Sequence, residues 1–339
     1  MATIHDVAKK AGVAPITVSR VINNSGYVSE AMRERVNEAI DELGYVPNVL
    51  ARSLKSKRTN TIALIFTDIT NPFFNILARG VEDTAHASGF NVFFCNTDED
   101  EEKENTYIKL VLQKQVDGIL LVPTSIKSDS VKIIQSQKTP LVVLDRRFPP
   151  GTVDVVRGDS FGGAYELTEL LINLGHRYIT ILSGPMNVST AEDRMAGYRK
   201  AMADNGLEKF IDCHYGRFTQ QSGKELTHQL FNQEHTPTAI FAANNLIAIG
   251  ALGALDSLGM NVPEDVAIVS FDEIPETLNP KPFLTVVSQP PYDMGQKATE
   301  ILINRIKNNK EIKEFQEIVF PVHLIERASS GSKISQKTT

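Results

Sequence analysis

Apolar and polar positions follow two different rhythms along this chain. From residue 61 onward, short apolar runs recur, separated by stretches of mixed helical character. The runs are TIALIFT (61–67), NVFFC (91–95), GILLV (118–122), PLVVL (140–144), YITIL (178–182), AIFAA (239–243), VAIVS (266–270) and TVVS (285–288). Continuous apolar runs of this length predict strands buried on both faces, and the 10 to 18 residues between most of them read as helices. Strand alternating with helix predicts a parallel α/β arrangement. The runs are too many for one comfortable sheet, so two α/β units are expected, with a crossing near Val156, Gly158 and Asp159.

Residues 1–60 contain no such runs and read as short helices. Thr3 and Asp6 have the spacing of a capping box, Ile4, Val7, Ala8 and Ala11 share one helical face, and Gly12 is a stop. A second helix starts at Pro15, which suits a first helical position, and runs through ITVSRVI. Ser29 can cap a third, with Met32, Val36, Ala39, Ile40 and Leu43 as its apolar stripe and Gly44 as its end. PNVLARSL then offers Asn48 as a cap and about two further turns, before the polar linker KSKRTNT (55–61). The first two helices have helix-turn-helix spacing, in which the second enters the DNA major groove. Pro15, Ile16, Thr17 and Arg20 would then meet base edges or phosphates, with Thr17 and Ser19 as phosphate anchors. A helical bundle without a nucleic-acid role fits the same pattern.

Charge sharpens the division. Of the net −6, the first 60 residues carry nine Lys and Arg against six Asp and Glu, a local +3, and the rest carries −9. A basic head on an acidic body favours an anionic partner at the head. No apolar run reaches the ~20 residues of a membrane span, and the amino terminus lacks an apolar signal segment, so a cytoplasmic protein with no membrane partner is expected. Cys95 and Cys213 have no metal-ligand spacing and read as reduced thiols.

The head sequence TIHDVAKKAGV…TVSRVIN…VSEAMRERVNEAIDELGYVPN…LARSL resembles the LacI/GalR family of bacterial transcription regulators throughout its length. The resemblance implies a homodimer on a pseudo-palindromic operator, with DNA contacts from Thr3, Pro15, Ile16, Thr17, Ser19, Arg20, Asn23, Tyr45, Asn48, Ala51, Leu54 and Lys55. PNxxxARxL matches the family's hinge helix, which forms on DNA and drives a leucine, here Leu54, between base pairs of the minor groove. Two departures stand out. Ala14 replaces the family's usual Ser before the recognition helix, losing a cap worth about 1 kcal/mol, and Pro15-Ile16 replaces a polar reading pair.

In open parallel sheets, ligands sit outside the carboxyl ends of strands. Those ends carry Asn71-Pro72-Phe73-Phe74, Asp145-Arg146-Arg147, Asn244-Asn245, Asp272-Glu273 and Gln289. Carboxylates, amides, an arginine and aromatics together suit a sugar, whose hydroxyls donate and accept and whose C–H faces pack on rings. Each has a plainer alternative. Asp272, Asn244 or Asn245 can cap helices, Asp145 can pair with Arg147, and Phe73 and Phe74 can be core. Residues 61 to about 328 resemble the periplasmic-binding-protein-like (type I) ligand domain of the same family and are similar to ribose-binding transport proteins at the ligand positions. The matching residues are Asn71, Phe73, Phe74, Asp145, Arg146, Arg194, Phe218, Asn244, Asp272 and Gln289. The resemblance implies phenylalanines that sandwich a sugar ring, with ribose or a related pentose as the ligand; the paired Phe argues against a purine.

The expected organisation is an all-α helix-turn-helix head (1–47), a hinge helix and linker (48–60) and two doubly wound lobes. The N-terminal lobe comprises 61–159 and 289–318, the C-terminal lobe 160–288 and 319–328, and 329–339 is a disordered tail. The expected function is a sugar-relieved repressor of sugar-utilisation genes. An alternative is a carbon-catabolite regulator whose corepressor is a phosphorylated carrier protein, which PPYDMGQKATEILINRI partly resembles. A secreted binding protein is disfavoured by the basic head. No enzyme, cofactor or metal site is expected: GDSFGG (158–163) is not a phosphate-loop motif, and the seven histidines are scattered. The tail has no leucine heptad, so a dimer is preferred to a tetramer.

Overall fold

The computed structural model describes residues 2–46, 58–126, 129–233, 235–275, 281–308 and 314–332. The chain divides into two compact units, Met1–Thr59 and Asn60–Thr339. The first contains α1 (Ile4–Ala11), α2 (Pro15–Ile22) and α3 (Glu30–Leu43). Thr3 and Asp6 form the reciprocal capping box, and Gly12 closes α1 in the left-handed conformation. α2 starts at Pro15 from an Ala14 that makes no side-chain cap bond. Ser29 sits at the N-cap of α3 but also makes no cap bond. Val7, Ala8, Ala11, Val18, Val21, Val36 and Ala39 form the small core, while Met32, expected in the α3 stripe, is exposed. The hinge segment, with Asn48, Ala51, Leu54 and Lys55, lies outside the described residues.

The second unit is a pair of α/β lobes. In chain order it runs β1 (Thr61–Phe66), α4 (Pro72–Ala87), β2 (Asn91–Asn96), α5 (Glu101–Gln113), β3 (Gly118–Leu121), α6 (Ser130–Ser136), β4 (Leu141–Leu144) and β5 (Asp154–Gly158). It then crosses to the second lobe with α7 (Ser160–Asn173), β6 (Ile179–Ser183), α8 (Ser189–Asp204), β7 (Asp212–Tyr215), α9 (Gln220–Phe231), β8 (Ala239–Ala242), α10 (Asn245–Ser257), β9 (Ala267–Phe271) and β10 (Thr285–Ser288). α11 (Pro291–Asn308) and β11 (Glu317–Phe320) return to the first lobe, and β12 (His323–Ile325) ends in the second. The sheets are ordered β11-β5-β4-β3-β1-β2 and β12-β10-β9-β8-β6-β7, so the lobes repeat one topology. All strand pairs are parallel except β10 with β12.

Each sheet is covered on both faces, which is why its central strands are apolar throughout. In the first lobe α4 and α11 pack on one face and α5 and α6 on the other; in the second, α7 and α8 face α9 and α10 across the sheet. Glycines permit the tightest crossings. A β-carbon on Gly80 would strike the Tyr292 carbonyl, and one on Gly295 the Leu77 carbonyl, so α4 and α11 meet backbone to backbone. In GDSFGG, Gly163 serves packing, since a side chain there would overlap Val287 and Phe271.

Three expectations need correction. NVFFC is not buried: β2 is an edge strand, with Phe93 and Phe94 about half exposed. β11 pairs with β5 as far as Phe320, so the N-terminal lobe extends past residue 318. Ser329 and Ser330, assigned to a disordered tail, are buried; the Ser329 hydroxyl donates to the Ile268 carbonyl and accepts from the Thr285 N–H. That contact sews the last described turn onto β9 and β10. Cys95 and Cys213 are free thiols on corresponding strands of different sheets, and burial pushes the Cys95 thiol above its ordinary range.

Candidate ligand cleft and DNA-reading head

Between the lobes lies a cavity of about 480 Å³. Its walls are strand ends and the first turns of the helices that follow, as the topology requires. Asn71, Phe73, Phe74, Asp145, Arg146, Arg194, Phe218, Asn244 and Asp272 all line it. Gln289 does not; it stands behind Asp272, donating from Nε2 to Asp272 Oδ1 at 2.6 Å. Gly158 is what makes room for Gln289, because a β-carbon there would collide with the amide oxygen.

The two carboxylates occupy equivalent places. Asp145 follows β4 and Asp272 follows β9, each with φ in the left-handed region, 64° and 68°. The Asp145 N–H donates to the Val156 carbonyl and the Asp272 N–H to that of Val287, at 2.8 and 2.9 Å. The positive φ turns each side chain away from the strand path, and Asp is among the few residues that tolerate it. Both are buried. Burial pushes the Asp145 carboxyl up to about 6, against the pull of Arg146 and Arg194, with Asp272 and Glu99 adding repulsion. Burial also raises Asp272, opposed by Arg194 and the Gln289 hydrogen bond.

The two arginines are held firmly. Arg194, on α8, donates to the Ala243 carbonyl at 2.6 Å, reaches Asp272 at 3.6 Å and lies 3.7 Å over the Phe271 ring. Arg146 donates to the Pro123 carbonyl and pairs with Glu99. Arg147, offered above as a surface partner for Asp145, instead crosses to the other lobe, where it pairs with Glu192 and Asp193 at 3.0 and 3.2 Å. Asn245 Nδ2 crosses in the opposite direction to Asn71 Oδ1 at 3.2 Å.

For several residues the plainer readings and the ligand readings coexist. Asn71 caps α4 by accepting from the Phe73 N–H, and Asn244 caps α10 through Ile247, yet both line the cavity. Phe73 and Phe74 belong to the core of the first lobe and also face the cleft. Their rings meet edge to face, 5.2 Å apart at 82°. No sugar ring can lie between them, so the pair by itself is not a sandwich; the opposing aromatic is Phe218 on the other lobe. Sequence reasoning passed over Thr67, Asp68, Glu99, Thr190 and Arg217, which also line the cavity. The strand-end rule, extended from the five runs above to NVFFC, reaches Asp98 and Glu99.

In the head, Pro15, Ile16 and Arg20 on α2 and Asn23 at its C-cap are exposed, with Ile16 at 56%, while Thr17 and Ser19 are half-buried. Val18 and Val21, on the opposite side of α2, fix it to the core. Arg20 has no ion pair among the described residues, leaving its guanidinium available. Asn23 donates to the Ser19 carbonyl at 2.7 Å, and Thr3 is engaged with Asp6 at 2.7 Å, so neither side chain is idle. Tyr45 packs half-buried against the core. Among the described residues no cluster of His, Cys, Asp and Glu could hold a metal, and no helix is long and apolar enough to cross a membrane.

A helix-turn-helix head and a two-lobed α/β body with a polar, aromatic-lined cleft define a ligand-controlled DNA-binding regulator. Residues 3–48 match the bacterial regulatory proteins of the lacI family, and residues 59–328 match the periplasmic binding proteins and sugar binding domain of the LacI family. The chain is 37% identical to the HTH-type transcriptional repressor PurR of Haemophilus influenzae (strain PittEE), over 98% of this chain and 99% of that protein. It is 39% identical to the ribose operon repressor of Escherichia coli (strain K12), over 90% of this chain and 93% of that one. Among solved structures, it resembles the lac repressor dimer bound to operator and the anti-inducer ONPF, with a TM-score of 0.84 and 26% identity over 97% of this chain and 99% of that chain. A LacI family regulator from Enterococcus faecium with bound ribose matches with a TM-score of 0.72 and 30% identity, over 81% of this chain and all of that chain. The chain belongs to the LacI family of bacterial regulatory proteins, and it is a DNA-binding transcriptional regulator.

Proposed function

We propose that this regulator is a cytoplasmic, non-enzymatic homodimeric repressor of sugar-utilisation genes that binds a pseudo-palindromic operator and is relieved by ribose or a closely related pentose. The carrying observation is the cleft. Asn71, Asp145, Arg146, Arg194, Asn244 and Asp272 bring hydroxyl-binding groups to one cavity, with Phe73 and Phe74 on one lobe and Phe218 on the other. A furanose or pyranose ring held between the lobes would meet an aromatic face on each side and charged or amide groups around its edge. Identity to the repressor PurR and to the ribose operon repressor is nearly equal, 37% and 39%, and the pocket chemistry favours the sugar. Self-association is supported by the half-exposed Phe93 and Phe94 on edge strand β2, since a bare apolar edge in a folded chain invites a partner.

The catabolite-corepressor alternative rested on PPYDMGQKATEILINRI. That segment is α11, and its Met294, Gly295, Ala298, Ile301 and Leu302 are buried in the lobe core, which accounts for its pattern without a partner protein. At the head, Ile16 and Arg20 on α2 are read as base contacts, and Leu54, outside the described residues, as the minor-groove wedge.

The test is a calorimetric panel of pentoses and hexoses, each titrated into protein alone and into its operator complex. Ribose or a related pentose is expected to bind free protein more tightly. Linkage requires operator affinity to fall by the same factor when the sugar is present. Equal sugar affinity with and without operator would exclude relief by the sugar.

A further inference from the structure

The charges around the cavity bear on whether the sugar arrives free or phosphorylated. We propose, resting on the sugar-pocket reading, that the cleft takes an uncharged pentose and rejects its phosphate ester. Six carboxylates line the cavity, Asp68, Asp98, Glu99, Asp100, Asp145 and Asp272, against three arginines, Arg146, Arg194 and Arg217. Arg146 is already matched by Glu99 and Arg194 by Asp272. Both are bound to backbone carbonyls as well, so each offers hydrogen bonds without net charge. Lys103 offsets Asp98 from outside the lining set. Arg217, on the exposed rim, is the only one of the three arginines with no carboxylate partner among the described residues.

Two of the helix ends at the cleft are already occupied, while α8, whose Thr190 lines the cavity, begins from Val188 without a side-chain cap. The N-terminus of a helix binds anions through its free N–H groups. At α4, Pro72 has no N–H to offer, and the Phe73 N–H is taken by the Asn71 side chain. At α10, Asn244 takes the Ile247 N–H. A phosphate dianion would therefore enter a cavity in which carboxylates outnumber arginines two to one, and leaving such a charge unmatched away from water is costly. A neutral polyol suffers none of this. It can donate to the carboxylates and accept from the guanidiniums while these remain paired with each other.

Ribose, arabinose and xylose, each beside its 5-phosphate, should be titrated into the full-length protein at low and at 0.3 M salt. The expected result is saturable binding of at least one free pentose, with its 5-phosphate roughly a hundred-fold weaker and the gap narrowing in high salt. The variant Asp68→Asn/Asp98→Asn/Asp100→Asn removes three rim charges while keeping the planar shape of each group. Its ratio of phosphate to pentose affinity should rise roughly ten-fold or more, while circular dichroism and the melting temperature report an intact fold. If the triple variant melts early, the three single substitutions carry the same comparison, each with a smaller gain. A 5-phosphate that binds as tightly as its parent sugar would overturn the charge exclusion and leave the pentose pocket standing. Unchanged discrimination in the variants would assign the exclusion to shape and also overturn it. Failure of every pentose and every phosphate to bind would overturn the pocket reading, and this inference with it.

Discussion

Arg194→Ala is expected to abolish measurable pentose binding and to destabilise the fold at the same time. Arg194 is 3% exposed and ties α8 to the Ala243 carbonyl, to Asp272 and to the Phe271 ring. Removing it leaves Asp272 as a buried carboxylate with only Gln289 beside it, and breaking a buried pair on one side typically costs about 3–5 kcal/mol. The same change deletes a guanidinium facing the cavity, so affinity should fall by at least about a hundred-fold. Calorimetric titration with the pentose and urea unfolding read the two effects separately. Arg194→Lys restores a charge but not the fork and should recover stability only in part. A variant that unfolds at the same denaturant concentration and binds normally would remove Arg194 from both roles.

Asp145→Asn is expected to act in opposite directions on stability and on binding. The folded protein holds the Asp145 carboxyl at about 6, above its ordinary 3.8, chiefly because of burial. The native state therefore binds that proton more tightly than the unfolded chain does. Stability from this group is greatest below about pH 4 and declines as pH rises through 6. At pH 7 the ionised group costs about 3 kcal/mol relative to its neutral form. Asparagine is neutral, nearly isosteric and at ease at the φ of 64°. The variant should melt several degrees higher at pH 7, and its advantage should shrink toward pH 5 as the native carboxyl takes up its proton. Pentose affinity should drop roughly 30-fold or more, because the strong charged acceptor is lost. Scanning calorimetry from pH 5 to 8 and titration at pH 7.5 make the comparison. An equal or lower melting temperature at pH 7 would mean the site does not hold Asp145 under this burden.

This opposition explains why the cleft contradicts ordinary core rules. Two carboxylates, two arginines and two asparagines lie buried where apolar side chains would be more stable. The strain at Asp145 and Asp272, with both residues in the left-handed region, is localised to the cavity wall. Arg147 and Asn245 cross between the lobes nearby, so anything that draws the lobes together alters these bonds as well.

What the sequence showed clearly were the elements that depend on their own residues. The eight apolar runs are all strands, and the head's caps at Thr3, Gly12, Pro15 and Gly44 mark true helix ends, because burial on both faces and local backbone geometry are written into consecutive residues. β5, β7, β11 and β12 escaped it. DCHY and EIVF are polar or half-exposed, and they become strands only because a neighbouring sheet edge accepts their hydrogen bonds.

The cleft divides in the same way. The strand-end rule located Asn71, Asp145, Asn244 and Asp272 without any knowledge of their partners. Arg194 and Phe218 entered only through resemblance, since a helix-borne arginine and a loop phenylalanine carry no local mark of a cavity. Tertiary structure decided that Phe73 and Phe74 lie edge to face instead of flanking a ring, that Gln289 supports Asp272 from behind, that Glu99 neutralises Arg146, and that Arg147 pairs with Glu192 and Asp193 rather than Asp145. Sequence by itself determined which residues are buried in strands, where helices begin and which chemistry gathers at the strand ends. The pairing of those charges was settled only when separate strands and helices of each lobe brought their ends together at the wall of one cavity. Charge pairing depends on distance through space, and distance through space is not recorded in the order of residues.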